Sequence, residues 1–348
     1  MTITSKILLS WYQENARILP WRISPKESIL GKKPDPYKVW ISEIMLQQTT
    51  VATVIPYFKS FVRKWNCIEK LSRANESEIL AFWAGLGYYA RARNLLKCAK
   101  VLAVQFGGKI PNNKEKLLSL PGIGEYTASA IRSIAFDERE IVIDGNVERI
   151  ICRLFKIQKP IKQSKKNIRK CAFQLFPKLN CGDFAQALMD FANLVCKPKK
   201  PACMLCPISS SCQSFKFGLE KIIPTKQVIK TKPLKKGFVF FVEIKPNKFL
   251  IERRPSKGIL GGLLGFPTTN WDKDLNKPDF PFEADWHYTK KIVTHQFSHF
   301  KLQLEIVIGK GKNNVFDNSR YQIVDSDNFD FQSLPTLMRK VYLKANRV

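Results

Sequence analysis

Acidic side chains are scarce in this chain. Its 348 residues hold 29 Asp and Glu against 58 Lys and Arg, a net charge of +29. A polyanionic partner is the natural inference, because each Lys or Arg set on a phosphate releases condensed counterions. A lysine-rich coding bias is the bland alternative and would also explain the many Asn and Ile residues. Such a bias raises Glu along with Lys, so nucleic acid is the better reading. Long apolar runs are missing too. No stretch approaches the roughly 20 apolar residues that span a bilayer. Met1 to Pro20 contains Glu14 and Arg17 and lacks a small-residue cleavage site. It reads as an amphipathic helix and not as a signal peptide. Internal repeats and low-complexity tracts are absent. The expectation is a cytoplasmic protein with no membrane partner.

Hydrophobic residues make up 45% of the chain, enough at this length for two or three cores. Nine cysteines are present. Cys67, Cys98, Cys152, Cys171 and Cys181 are scattered. An odd number without paired spacing argues for a reducing compartment, with these five as small core hydrophobes. The other four are Cys196, Cys203, Cys206 and Cys212, separated by six, two and five residues. Four thiolates so close in sequence can wrap one metal centre, either a structural zinc or an iron–sulfur cluster.

Helical periodicity runs over residues 6–18. A loop rich in proline and lysine follows, Ile23 to Pro36. From Tyr37 to about Phe136, and again over 142–212, the pattern is helical with Gly- or Pro-marked connections. Lys156 to Lys170 carries seven basic residues and no acidic one. The segment 217–236 is charged, holds Pro224 and Pro233, and reads as an interdomain linker. Composition then changes. Phe238 to Ile244, Lys248 to Arg253, Lys291 to Gln296 and Leu302 to Ile308 are β-branched and aromatic runs. A last helix is expected from Ser333 to Lys344, which makes the final third a separate α+β domain.

Leu120-Pro121-Gly122-Ile123-Gly124 lies between two helical runs. It is either a plain turn or a helix–hairpin–helix, whose backbone N–H groups hold a phosphate. Leu117, Leu118, Ala128 and Ile131 favour the hairpin. Asp144-Gly145-Asn146 follows the apolar run Ile141 to Ile143 and is most simply a turn or a helix cap. Glu43 belongs to a helix over Ile41 to Thr50, where a Glu usually faces solvent. Together Asp144 and Glu43 could pair, one as a proton donor of raised pKa and one as an anion facing a developing sugar cation.

Four segments extend these motifs: Ser42-Glu43-Ile44-Met45-Leu46-Gln47-Gln48-Thr49, Gly85 to Arg93, Leu120 to Thr127, and Asp144-Gly145-Asn146-Val147. With the cysteine spacing, they resemble the MutY-type adenine DNA glycosylases, relatives of endonuclease III. The resemblance covers about residues 6–215. It is weaker over 237–345, where Leu260 to Pro267 and Phe297-Ser298-His299 carry it.

The resemblance implies a mainly α two-part helix-hairpin-helix glycosylase core with an iron–sulfur loop, followed by an α+β Nudix-like domain. The implied parts are an N-terminal helix (1–24) packing on the cluster domain, a helical barrel domain (25–136), the cluster domain (137–216), the linker (217–236) and the Nudix-like domain (237–348). The implied activity is excision of adenine mispaired with 8-oxoguanine or guanine in double-stranded DNA, by a monomer. The base must first leave the stack. Glu43 would protonate adenine at N7 and Asp144 would stabilise the oxocarbenium-like sugar. Tyr126 and Asn146 would complete the catalytic set. Trp21, Arg22, Leu46 and Gln186 would form the adenine pocket. Gln48, Thr49, Leu86, Tyr88, Gly122 and Gly124 would contact DNA, with Tyr88 wedged into the stack, and Phe297, Ser298 and His299 would read the oxidised guanine. Tyr88 as a core tyrosine and His299 as a turn histidine are the ordinary alternatives.

The four cysteines would hold a [4Fe-4S] cluster. Endonuclease III-like enzymes place a lysine at the Tyr126 position, and its amine cuts the strand through a Schiff base. Tyrosine implies a monofunctional glycosylase. The Nudix-like domain has no glutamate-rich Nudix box, so pyrophosphatase chemistry is not supported. The loop from Arg22 to Pro36 is longer than usual for the family, and Leu263-Leu264-Gly265 replaces its aromatic-acidic pair. A thymine or uracil glycosylase and a non-catalytic iron–sulfur DNA-binding protein are the rival readings.

Overall fold

The computed structural model describes residues 2–225, 232–255, 258–273, 277–310 and 320–346. The chain divides into two units, Met1–Leu80 with Ala90–Ile229, and Ala81–Tyr89 with Lys230–Val348. Residues 226–231 of the expected linker lie outside the described residues.

The first unit is helical. Its helices are α1 (Ile3–Asn15), α2 (Pro25–Ile29), α3 (Pro36–Leu46), α4 (Val51–Lys64), α5 (Ile68–Ser72), α6 (Glu76–Phe82, whose end joins the second unit), α7 (Ala90–Gln105), α8 (Lys114–Leu118), α9 (Glu125–Phe136), α10 (Gly145–Leu154), α11 (Ile161–Leu175), α12 (Cys181–Leu194) and α13 (Gln213–Lys216). α3 is buried nearly all round, with Trp40, Ile41 and Met45 fully so. It begins five residues before the expected Ile41, because Asp35 caps Tyr37 N–H at 2.9 Å and Pro36 presets the first turn. It stops at Leu46 rather than Thr50. Gln48 takes φ +60°, and Arg91 satisfies the terminal carbonyls of Ile44 and Met45 at 2.9 and 2.8 Å.

The stretch read as a plain loop, Ile23 to Pro36, contains α2. Ser24 and Glu27 form a capping box and Pro25 occupies the first turn, local signals that suffice for one short helix. α9 ends in Asp137 at φ +55°, whose Oδ1 accepts from Gly182 N–H at 3.0 Å and sets the start of α12. α9 and α12 meet so closely there that a Cβ on Gly182 would lie 2.6 Å from the Ser133 carbonyl oxygen.

The second unit is a mixed sheet with β1 (Leu234–Lys245), β2 (Lys248–Arg253), β3 (Leu264–Gly265), β4 (Asp285–Gln296), β5 (Lys301–Lys310) and β6 (Tyr321–Asp325), closed by α14 (Thr336–Ala345). The strand order is β3-β2-β1-β5-β4, and β6 pairs with β2. Among the described residues only β1 and β5 run parallel, in register from Leu234 opposite Lys301 to Glu243 opposite Lys310. β1 is buried on both faces, the pattern of an interior strand. Val239 and Phe241 pack with Ile251, Phe266, Leu302 and Met338. Phe238, Phe240 and Val242 pack on the other side with Leu250 and Val307. β1 begins at Leu234, inside the stretch read as linker, because its backbone pairs with β5 despite three flanking lysines. Among the described residues no helix is long and apolar enough to cross a membrane.

Candidate active site

One cleft of about 580 Å³ in the first unit gathers residues from five helices and the segments before them. Its walls include Trp21, Arg22, Glu43, Leu46, Gln48, Thr49, Tyr126, Asp144, Asn146 and Gln186. Ten positions singled out from the sequence, spread over 166 residues of chain from Trp21 to Gln186, therefore meet in one place.

Glu43 is 6% exposed on the buried helix α3. Burial pushes its carboxyl from 4.5 up to about 7. The Tyr126 hydroxyl, which hydrogen-bonds it, pulls the other way, as does Arg22, while the charge of Asp144 adds to the rise. Tyr126 is held well above the ordinary phenol value by burial and by the negative charge of Glu43. Its hydroxyl is therefore a stable donor to the carboxylate.

Asp144 caps α10. Its Oδ1 accepts from the backbone N–H of Asn146 at 2.9 Å and of Val147 at 2.8 Å, and its Oδ2 from Asn146 Nδ2 at 2.8 Å. Three N–H donors and the helix N-terminus suit an acceptor-only carboxylate anion. Two carboxyls of unlike surroundings thus face one cleft, one fit to carry a proton and one to carry charge.

Gln186 is buried on α12 and donates Nε2 to the Gly182 carbonyl at 3.3 Å. One turn further on lies Asp190, fully buried, which sequence reasoning passed over. Its Oδ1 accepts from Arg17 Nε at 2.6 Å. Its Oδ2 accepts from Arg22 Nη1 at 2.8 Å and from Arg17 N–H at 2.9 Å. Asp190 fixes the cation that faces Glu43. An acid at i+4 from Gln186, on the same face of the helix, was the available signal. Gln47 also lines the cleft and donates to Thr127 Oγ1 at 3.3 Å.

The remaining candidates lie elsewhere. Gly122, at φ +80°, turns the chain between α8 and α9, and Gly124 caps α9 with ordinary extended backbone. Neither lines the cleft. Leu86 is buried, and Tyr88 is 50% exposed at φ +50°. Phe297 opens the turn between β4 and β5, its N–H donating to Phe300 O at 2.9 Å and its ring stacked on Trp271 and Phe300. Ser298 and His299 are exposed at the tip, and the Ser298 hydroxyl pairs with that of Tyr88 within the second unit.

Cys196, Cys203, Cys206 and Cys212 line one small pocket together with Arg153 and Glu220. Burial, and then the three neighbouring thiols, push Cys206 up to about 12. Arg153 donates to Cys196 Sγ at 3.3 Å and to the Lys197 carbonyl at 2.7 Å, pinning the loop. Arg149 donates to the Cys196 carbonyl at 2.9 Å and to Asn146 Oδ1 at 3.2 Å. Among the described residues no three His, Cys, Asp or Glu side chains are grouped as one metal ion requires. Of the five other cysteines, Cys98, Cys152 and Cys181 are core residues, whereas Cys67 and Cys171 are only half-buried, a correction to their reading as core filler.

Comparison with known proteins identifies the two domains. The family model described as HhH-GPD superfamily base excision DNA repair protein matches residues 41–178, and the NUDIX domain model matches residues 239–344. The adenine DNA glycosylase of Buchnera aphidicola subsp. Schizaphis graminum is 37% identical over 330 residues, 91% of each chain. The human adenine DNA glycosylase is 32% identical over 358 residues, 86% of this chain and 65% of its own. Among solved structures, a thermostable thymine-DNA glycosylase aligns with 30% identity and a TM-score of 0.54, over 62% of this chain and 96% of its own. A trapped endonuclease III–DNA intermediate shares the fold, at 23% identity and a TM-score of 0.51 over 62% of this chain and 95% of its own. The fold and the cleft define a base-excision DNA glycosylase of the helix-hairpin-helix class with a Nudix domain appended. The chain belongs to the MutY-type adenine DNA glycosylase family.

Proposed function

We propose that this glycosylase removes adenine paired with 8-oxoguanine, or with guanine, and leaves the abasic strand uncut. The observation that carries the reading is the buried Glu43, hydrogen-bonded to Tyr126, in the same cleft as the helix-capping Asp144. A duplex keeps its bases stacked, so adenine must be extruded into the cleft, whose volume is in the range of small-molecule sites. With its value near 7, a large share of Glu43 carries a proton at neutral pH. It donates that proton to adenine N7. The C1′–N9 bond breaks and its electron pair stays on the departing base. Positive charge develops on the sugar, and the Asp144 carboxylate faces it, either as a counter-ion or by bonding transiently to C1′ until water replaces it. Trp21, Arg22, Leu46 and Gln186 surround the base, and Asn146 orients Asp144. The Tyr126 phenol cannot form a Schiff base, which supports a monofunctional enzyme.

Outside the cleft, Gly122 and Gly124 present backbone to phosphates. Gln48, Thr49 and Tyr88 contact the lesion duplex, and Leu86 does so only through its backbone, its side chain being buried. Phe297, Ser298 and His299 read 8-oxoguanine. Cys196, Cys203, Cys206 and Cys212 hold a [4Fe-4S] cluster. The support is four soft sulfur donors lining one pocket, a ligand type that suits iron–sulfur chemistry. When bound, the cluster supplies structure, holding the loop with Lys197, Lys199 and Lys200 in place. The protein works as a monomer in the nucleoid.

The test is Glu43→Gln in an excision and binding pair. Excision of adenine opposite 8-oxoguanine should vanish while duplex binding persists. Undiminished excision would remove Glu43 from the chemistry.

A further inference from the structure

The catalytic reading leaves the basic run Lys156 to Lys170 without a role. In the structure this run becomes the entry to α11 and most of that helix. α11 buries Ser164, Ile168, Ala172 and Leu175, a stripe at i, i+4, i+8 and i+11. At 100° per residue, Lys162, Lys166, Arg169, Lys170 and Phe173 fall on the opposite side. All five are exposed. Among the described residues none of the four cations takes part in an ion pair. Lys165, on the flank, has Glu148 within electrostatic reach. None of the α11 residues lines the catalytic cleft.

We propose that this face of α11 is a second docking surface for duplex DNA, so that the protein holds one segment in its cleft and another on this helix. The proposal rests on the reading of duplex DNA as substrate. Lys162 to Lys170 spans about 12 Å of helix at 1.5 Å per residue. Successive phosphates of one strand advance about 3.4 Å along the duplex axis, so four cations match three or four phosphates. Such contacts carry no sequence information, which suits a surface that samples DNA without selecting it. A membrane is a poor fit, since the face offers only Phe173 as an apolar group and Arg139 packs over its ring at 4.5 Å. Two anion-binding surfaces on one molecule allow direct transfer, in which the new segment is engaged before the old one leaves.

The experiment follows release of a short fluorescent duplex from the full-length protein into rising concentrations of unlabelled duplex. For the unaltered protein the off-rate should climb with competitor concentration. In the quadruple variant Lys162→Ala, Lys166→Ala, Arg169→Ala, Lys170→Ala that climb should fall by about tenfold or more, given four lost phosphate contacts. Single-turnover excision should stay unchanged. The charge-preserving variant Lys162→Arg, Lys166→Arg, Lys170→Arg should behave as the unaltered protein, which separates loss of charge from loss of structure. An off-rate independent of competitor in the unaltered protein overturns the proposal. So does a climb that survives the four alanines. Reduced excision or reduced single-duplex affinity in the alanine variant would place α11 in the primary site and also overturn it. Release driven by polyglutamate but not by DNA would assign the face to an acidic protein instead. Failure to excise adenine alongside intact transfer would count against the proposed function alone.

Discussion

Glu43 shows how a residue can be costly to the fold and yet suit the proposed reaction. Its carboxyl is raised from 4.5 to about 7, so between those values the folded protein binds more protons than the unfolded chain. The stability this gives is fully present below 4.5 and is lost as pH rises through 7. The ionised, buried carboxylate then costs about 3 kcal/mol. Glu43→Gln should therefore be more stable than the unaltered protein above pH 7, by up to that amount, with the gap closing toward pH 4.5. Denaturant unfolding at both ends of this window checks it, and a constant gap would contradict it. The same substitution should slow excision by about 10²–10⁴-fold, the usual worth of a general acid. In the unaltered enzyme the single-turnover rate should fall as pH rises beyond 7. Asp144→Asn should abolish excision with lesion-duplex affinity retained, and retained excision would sink the sugar-cation role. Positions such as Glu43 and Asp144 were legible because they stand in compact motifs. Asp190 was not, because its partners Arg17 and Arg22 lie on a distant segment that only tertiary packing brings near.

Elements place these side chains more than they hold them. α3, α9, α10 and α12 each contribute to one cleft, and their approach sets its width. Gly182 sits where α12 meets α9, with no room for a methyl group against the Ser133 carbonyl. Gly182→Ala should cost about 1–3 kcal/mol by overpacking and displace Gln186 one turn away. Thermal unfolding together with the excision rate would measure both, and an unchanged protein would mean the helices separate freely. Cys203→Ser should leave the loop after α12 unpinned, giving poorly soluble or DNA-binding-deficient protein. A well-folded, fully active variant would remove the structural argument for the cluster. Helix existence was readable from periodicity, but helix bounds were set by local chemistry that periodicity ignores. Asp35 and Pro36 started α3 early, and Arg91, 46 residues beyond Met45, closed it early. β4 extends from the expected Lys291 back to Asp285 because it pairs with β5 across a register shift. Apolar patterning alone does not reveal such pairing.

At the scale of the molecule, a helical unit with the cleft and a mixed-sheet unit are joined in one basic chain. The charge excess makes affinity for DNA depend on salt. Between about 50 and 200 mM salt, six or more phosphate contacts predict a loss of about a thousandfold. A flat response in a titration over that range would contradict the electrostatic account. The two-unit plan was visible as a change in composition near residue 237, whereas β1 reaches back to Leu234 through backbone pairing that lysine side chains conceal. The central claim is chemical, and a single-turnover excision assay on four duplexes tests it most directly. They carry adenine opposite 8-oxoguanine, adenine opposite guanine, adenine opposite thymine, and thymine opposite guanine, with abasic sites revealed by alkali. The account predicts rapid excision from the first, slower excision from the second, none from the third or fourth, and no strand cleavage before alkali. Excision of thymine alone, or cleavage without alkali, would contradict it.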